Sequence, residues 1–212
     1  MGAERWATFD CYGTLIDWNG GIRGELARVF GEERADELLG RYHELEPDLE
    51  ADGKRSYREV LTDAMRSLGA PAGEEDALAR SLPDWQPFPE VPAALREARD
   101  QGWKLAILSN TDRDFIEASL ERIGVPFDVV IVASEIGSYK PALVHWSTFE
   151  QEAGRLPDVH VAASLLHDIA PANELGLRSI WINRLGERAD PEPTQELADL
   201  SRLPETLEEV AA

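Results

Sequence analysis

The chain of 212 residues has one cysteine, Cys11, two methionines, and 21 lysines and arginines against 41 aspartates and glutamates. A single cysteine excludes an internal disulfide and fits a reducing compartment. A formal charge of −20 argues against sequence-independent binding to nucleic acid or to an anionic membrane, since both need clustered cations. No apolar run approaches the length of a membrane span, and the start Met1-Gly2-Ala3-Glu4-Arg5 lacks a signal-peptide pattern, so a cytoplasmic location is expected. Any anionic ligand must then be held by local positive charge against the global field. Repeats and low-complexity tracts are also lacking. The 43% of hydrophobic residues suffices for one moderate domain, or for a core carrying a smaller insert.

Apolar runs at residues 7–9, 105–108, 129–132, 161–166 and 179–182 read as buried parallel strands. Helix-like stretches of about a dozen residues separate the last four, the alternation of a doubly wound α/β sheet. Almost a hundred residues separate the first two, too many for one crossover. Within that gap, residues 21–30, 34–49, 56–68 and 74–82 show helical apolar spacing between breakers such as Gly31 and Asp52-Gly53. The stiff segment Pro83-Asp84-Trp85-Gln86-Pro87-Phe88-Pro89 returns the chain to a helix over 91–100. The expected organisation is a core of residues 1–16 and 88–212 with a helical cap over 17–87. Residues 187–193 read as loop, and 204–210 as a short terminal helix.

Parallel strands gather the residues at their carboxyl ends along one edge, where open α/β folds bind ligands. Asp10 follows the first strand, Ser109-Asn110 the second, Lys140 the third and His167-Asp168 the fourth. An aspartate at such an edge, before the turn at Gly13, suits either a nucleophile able to form a covalent ester or a cap of the turn. A lysine beside it would keep it ionised and oriented. Ser109 and Asn110 suit ligand binding or helix capping, and His167-Asp168 suits water activation or a buried hydrogen-bonded pair. Cys11, facing away from Asp10 along the strand, reads as a small buried residue.

Phe9-Asp10-Cys11-Tyr12-Gly13-Thr14-Leu15, Leu108-Ser109-Asn110, Ser138-Tyr139-Lys140-Pro141 and Gly176-Leu177-Arg178-Ser179-Ile180-Trp181-Ile182-Asn183-Arg184, in this order, resemble the haloacid dehalogenase superfamily, in its 2-haloacid dehalogenase branch. The opening motif and Ser164-Leu165-Leu166-His167-Asp168-Ile169-Ala170-Pro171-Ala172-Asn173 are similar to azetidine-2-carboxylate hydrolases as well. The resemblance implies a Rossmann-like core with a small cap and a hydrolase in which Asp10 attacks C2 of a small 2-halo carboxylic acid. Thr14, Ser109, Asn110 and Lys140 would hold Asp10 and the substrate carboxylate, and Arg41 would face the departing halide. Tyr12, Leu45 and Trp85 would be apolar walls. Phosphatases of the superfamily carry an acid two residues after the nucleophile to protonate the leaving alkoxide; this chain has Tyr12, which suits a leaving group that needs no proton. Where the family has a tyrosine six residues after the lysine stands Trp146, and where it has a water-activating aspartate stands Asn173. Asp168 or His167 would then supply the base. No cofactor is required by this chemistry, and magnesium, if used, would sit on Asp10 and Asp168. Ring opening of a strained cyclic amino acid, a magnesium-dependent phosphatase and a non-catalytic binding protein remain alternatives. Dimers are common in the resembled family, so a homodimer is possible by analogy.

Overall fold

The computed structural model describes residues 4–51, 53 and 55–211. Six strands form one parallel sheet in the order β3-β2-β1-β4-β5-β6. They are β1 (Arg5–Phe9), β2 (Trp103–Ser109), β3 (Val129–Val132), β4 (Val159–Ala162), β5 (Arg178–Ile182) and β6 (Gln195–Leu197). Their residues alternate between two faces, as a pleat requires. Ala7, Phe9, Leu105 and Ile107 enter one hydrophobic cluster, whereas Trp6, Ala106 and Leu108 enter a second with Trp146 and Phe149. Burial on both faces is what makes these strands near-continuous apolar runs.

Between β1 and the helix α5 (Val91–Asp100) stand α1 (Trp18–Phe30), α2 (Ala35–Glu50), α3 (Tyr57–Ser67) and α4 (Ala77–Ser81). Local chemistry starts two of them. Asp17 accepts from the Gly20 N–H ahead of α1, and Ser56 with Glu59 forms a reciprocal capping box ahead of α3. The helical insert is tied off by paired backbone at its neck. Asp17 N–H donates to Gln86 at 2.9 Å and Phe88 N–H to Leu15 at 3.0 Å, around an antiparallel bridge between Ile16 and Pro87. The remaining helices are α6 (Arg113–Ile123), α7 (Ala133–Ile136), α8 (Val144–Ala153), α9 (Ala170–Glu174) and α10 (Leu203–Ala211).

Two elements differ from the sequence reading. The fourth strand stops at Ala162, and Leu165–Ile169 form a π-helical turn. Side chains replace the ladder there: the Ala163 N–H donates to Thr14 Oγ1 at 2.9 Å, and Trp181 Nε1 donates to the Ala163 carbonyl at 2.8 Å. Leu166, read as strand, is exposed. The sixth strand is polar and three residues long, with no hydrophobic pattern to announce it. Tertiary bonds hold it: the Asn183 N–H donates to the Leu197 carbonyl at 2.8 Å and Asn183 Nδ2 to Glu196 Oε1 at 2.6 Å.

Candidate active site

Asp10 continues the β1 ladder for one bond, its N–H donating to the Val161 carbonyl at 3.1 Å. The chain then folds back, with the Leu15 and Ile16 N–H groups both reaching the Cys11 carbonyl. Gly13 supplies the left-handed residue that this turn needs, with φ +85°. The turn brings Thr14 back over Asp10, where Oγ1 donates to Asp10 Oδ2 at 2.8 Å. The carboxylate is 8% exposed and borders a cavity of about 640 Å³.

Lys140, 2% exposed, spends all three ammonium protons. Nζ donates to Asp168 Oδ1 at 2.6 Å, to the Leu108 carbonyl at 2.8 Å and to Asp10 Oδ1 at 2.9 Å. Asp168 Oδ1 also meets His160 Nε2 at 2.9 Å, and His160 Nδ1 meets Thr8 Oγ1 at 2.8 Å. Thr8 and His160 are register partners on β1 and β4, so a polar rail runs through the sheet face under the site.

Two carboxylates therefore share one ammonium, unequally. Burial opposes ionisation of Asp168, but Lys140 and His160 outweigh it and hold its carboxyl well below the usual range. Burial raises Asp10 above the ordinary value, and the charge of Asp168 adds to this, against the pull of Lys140 and Thr14. Burial alone would lower Lys140; the two carboxylates push it up instead. Asp168 is the weakly basic counter-ion, and Asp10 is the more basic, less compensated oxygen that faces the cavity.

Of the other residues singled out in the sequence, Ser109, Asn110, Tyr12 and His167 also line the cavity. The Ser109 hydroxyl is buried, with no hydrogen-bond partner among the described residues. Asn110 bonds to the lysine backbone: the Lys140 N–H donates to Oδ1 at 2.6 Å, and Nδ2 donates to the Lys140 carbonyl at 3.0 Å. Tyr12 turns its hydroxyl onto Ser119 Oγ at 3.0 Å. The half-buried His167 ring titrates below the ordinary imidazole value, chiefly through burial.

Five expected positions lie elsewhere. Arg41 is on the exposed face of α2 and does not line the cavity, because the inward face of α2 carries Leu38, Tyr42, Glu46 and Glu50. Leu45 packs against the main core. Trp85 is buried, its ring 6.4 Å edge-on to Tyr12. Trp146 is wholly buried on the opposite sheet face, 5.2 Å from the His160 ring. Asn173 is exposed and donates to the Glu192 carbonyl at 2.9 Å, so no acid or amide from that position reaches Asp10.

Conversely, the cavity is lined by Trp18, Glu46, Glu50 and Tyr57, which the sequence reading did not select. Their signal was present. Leu38, Tyr42, Glu46 and Glu50 recur every four residues, so two carboxyls continue the inward apolar stripe of one helix face. Glu46 Oε1 accepts from Tyr42 at 3.1 Å and Tyr57 at 3.2 Å, and Glu50 Oε2 accepts from Asn110 Nδ2 at 3.4 Å.

Magnesium would need several oxygen ligands in octahedral array. Among the described residues no three His, Cys, Asp or Glu side chains cluster to hold a metal, and both Asp10 and Asp168 already accept from Lys140. The donor set does not fit that ion well. Also among the described residues, no helix is long and apolar enough to cross a membrane.

Comparison with known proteins agrees with this architecture. A haloacid dehalogenase-like hydrolase family model matches residues 5–163. The (S)-2-haloacid dehalogenase of Pseudomonas sp. (strain YL) is 30% identical over 96% of this chain and 94% of its own length. A phosphoserine phosphatase of Thermus thermophilus is 29% identical over 81% of this chain and 72% of its own. In structure, the L-2-haloacid dehalogenase of Xanthobacter autotrophicus superposes with a TM-score of 0.80 at 21% identity, covering 97% and 98% of the two chains. The six-stranded Rossmann-like core with its helical insert is thus the fold of those dehalogenases, and the chain belongs to the haloacid dehalogenase-like hydrolase family.

Proposed function

We propose that this protein hydrolyses small 2-substituted carboxylic acids by substitution at C2, with halide as leaving group and an ester on Asp10 as intermediate. The observation that carries this reading is the aspartate itself: a desolvated carboxylate oriented by Lys140 and Thr14 at the wall of a cavity. The 2-haloacid dehalogenases among its relatives support halide as the leaving group.

Asp10 attacks C2 from the side opposite the halogen, the C–halogen bond breaks, and halide departs with the electron pair. The leaving group needs no proton, which agrees with a Tyr12 hydroxyl engaged by Ser119 rather than turned to Asp10. The unpartnered Ser109 hydroxyl receives the substrate carboxylate. Esterification removes the charge on Asp10, and Lys140 stays neutralised by Asp168. Water then attacks the ester carbonyl, releasing the 2-hydroxy acid and regenerating Asp10. His167 is the base for that step: its depressed pKa keeps the imidazole neutral at pH 7, whereas Asp168 is too weak a base. The helical insert closes the cavity as a cap through Trp18, His43, Glu46, Glu50 and Tyr57.

A single turnover of 2-chloropropanoate in oxygen-18 water tests the mechanism, with mass analysis of the peptide that contains Asp10. Label in that carboxylate, and loss of chloride release in Asp10→Asn, are the expected results. Magnesium-dependent hydrolysis of p-nitrophenyl phosphate without chloride release or label would overturn the proposal.

A further inference from the structure

The cavity has an electrostatic imbalance that a simple 2-halo acid does not relieve. Among the described residues, Asp10, Asp17, Glu46, Glu50, Asp168 and Glu187 line it, against Lys140 and Arg184. Both cations are engaged already, Lys140 by Asp10 and Asp168 and Arg184 by Glu90 and the Thr14 carbonyl. A ligand bringing only negative charge would raise the repulsion in a partly desolvated space.

The α2 side of the cavity has the composition that takes a cation. Glu46 and Glu50 lie one turn apart on α2, Glu46 accepting from Tyr42 and Tyr57 through one oxygen and Glu50 from Asn110 through one oxygen, which leaves each a second oxygen for a ligand. The aromatic side chains of Trp18 and Tyr57 line the same space, and such faces attract ammonium groups. Burial pushes Glu46 up to about 7 and Glu50 up to about 9, with Glu46 raising Glu50 further and Lys140 lowering it. That unrelieved cost is what a bound cation would offset. An independent sign of a ligand lies on the sheet side: Ser109, 1% exposed, lines the cavity with an unpartnered hydroxyl. The two sides together match a molecule carrying a carboxylate at one end and a cation at the other.

We infer that Glu46 and Glu50, walled by Trp18 and Tyr57, form a subsite for a protonated amine on the carboxylic acid that Asp10 attacks. This rests on the Asp10 reading above and narrows its substrate class to small amino-bearing acids. The amine is held as a binding group, and the covalent chemistry stays at Asp10.

Calorimetric titration of the intact wild-type protein with matched unreactive acids tests the subsite: pentanoate against 4-aminobutanoate, and butanoate against 3-aminopropanoate. Within each pair a methyl group is exchanged for an ammonium. The amino acid of each pair is expected to bind at least tenfold more tightly. The Glu46→Gln/Glu50→Gln protein is expected to reduce that ratio below twofold while still binding the plain acids. Equal or tighter binding of the plain acids to the wild type overturns the subsite, whatever the variant does. Chloride release from 2-chloropropanoate with no amine preference would sink the subsite and leave the Asp10 mechanism standing. Amine preference without oxygen-18 label in Asp10 from any turned-over acid would support the subsite and sink the ester. Failure of every acid to bind, with no chloride release from 2-chloropropanoate, would overturn both.

Discussion

Replacing Lys140 by methionine removes the ammonium while nearly keeping the side chain's length and apolar stem. In the wild type that ammonium satisfies two carboxylates and the Leu108 carbonyl, all within 2.9 Å. Removing one partner of a buried ion pair costs about 3–5 kcal/mol. Set against a total stability of about 5–15 kcal/mol, this is a large fraction. At about 2–4 °C per kcal/mol for a chain of this size, the melting temperature should fall by about 6–20 °C at pH 8.

The pH dependence separates this cause from simple cavity formation. In the wild type the depressed pKa of Asp168 contributes stability that is present above the ordinary value of 3.8 and is lost as pH falls toward its folded value. The raised pKa of Lys140 contributes stability present below 10.5 and lost as pH climbs through its folded value. Without the ammonium both buried aspartates lose their largest compensation, so their folded pKa values rise. Their contribution is then present below 3.8 and lost as pH rises through those raised values. The difference in melting temperature between variant and wild type should therefore narrow as pH is lowered from 8 to 5. Calorimetric melts at the two pH values measure it. A loss under about 1 kcal/mol at pH 8, or an equal gap at both pH values, would refute the argument that Lys140 is the counter-ion of both carboxylates.

Arg41→Ala should change kcat/KM for any turned-over acid by less than about threefold, within about 0.65 kcal/mol, because the side chain stands on the solvent face of α2; a hundredfold loss in steady-state kinetics would return the arginine to the site. Gly21→Ala should lower the melting temperature measured by circular dichroism. Its added Cβ would lie 2.3 Å from the Trp85 ring, and relieving such a clash costs about 1–3 kcal/mol. An unchanged melt would mean that α1 and Trp85 separate easily.

Much of the site was legible because parallel topology puts strand ends together. Asp10, Ser109, Lys140 and Asp168 each follow or end an apolar run, and the sheet order brings all four to one edge. Thr14 was legible from its motif, and its bond to Asp10 depends on the turn at Gly13. Arg41, Leu45, Trp85, Trp146 and Asn173, chosen by motif spacing, do not line the cavity. A helix shows about a third of its residues to any one neighbour, and a shift of one position moves a side chain by about 100° around the axis. Motif alignment did not register that residue 46 continues the inward stripe of Leu38 and Tyr42 while residue 41 lies off it. The sixth strand was hidden for a related reason: its bonds come from Asn183 across the sheet edge, and its three residues carry no alternation.

Sequence alone determined the α/β alternation and the long helical insert and marked Asp10 as the candidate nucleophile, because hydrophobic periodicity and strand-end chemistry are local properties. Tertiary structure alone decided what surrounds that nucleophile. Which aspartate Lys140 holds ionised, that His160 and Thr8 extend the rail beneath it, and that two glutamates rather than an arginine line the cavity with Asp10 all depend on contacts between residues far apart in the chain. Burial sets the cost of each charge there, and burial exists only once the sheet and the helical insert have closed on one another.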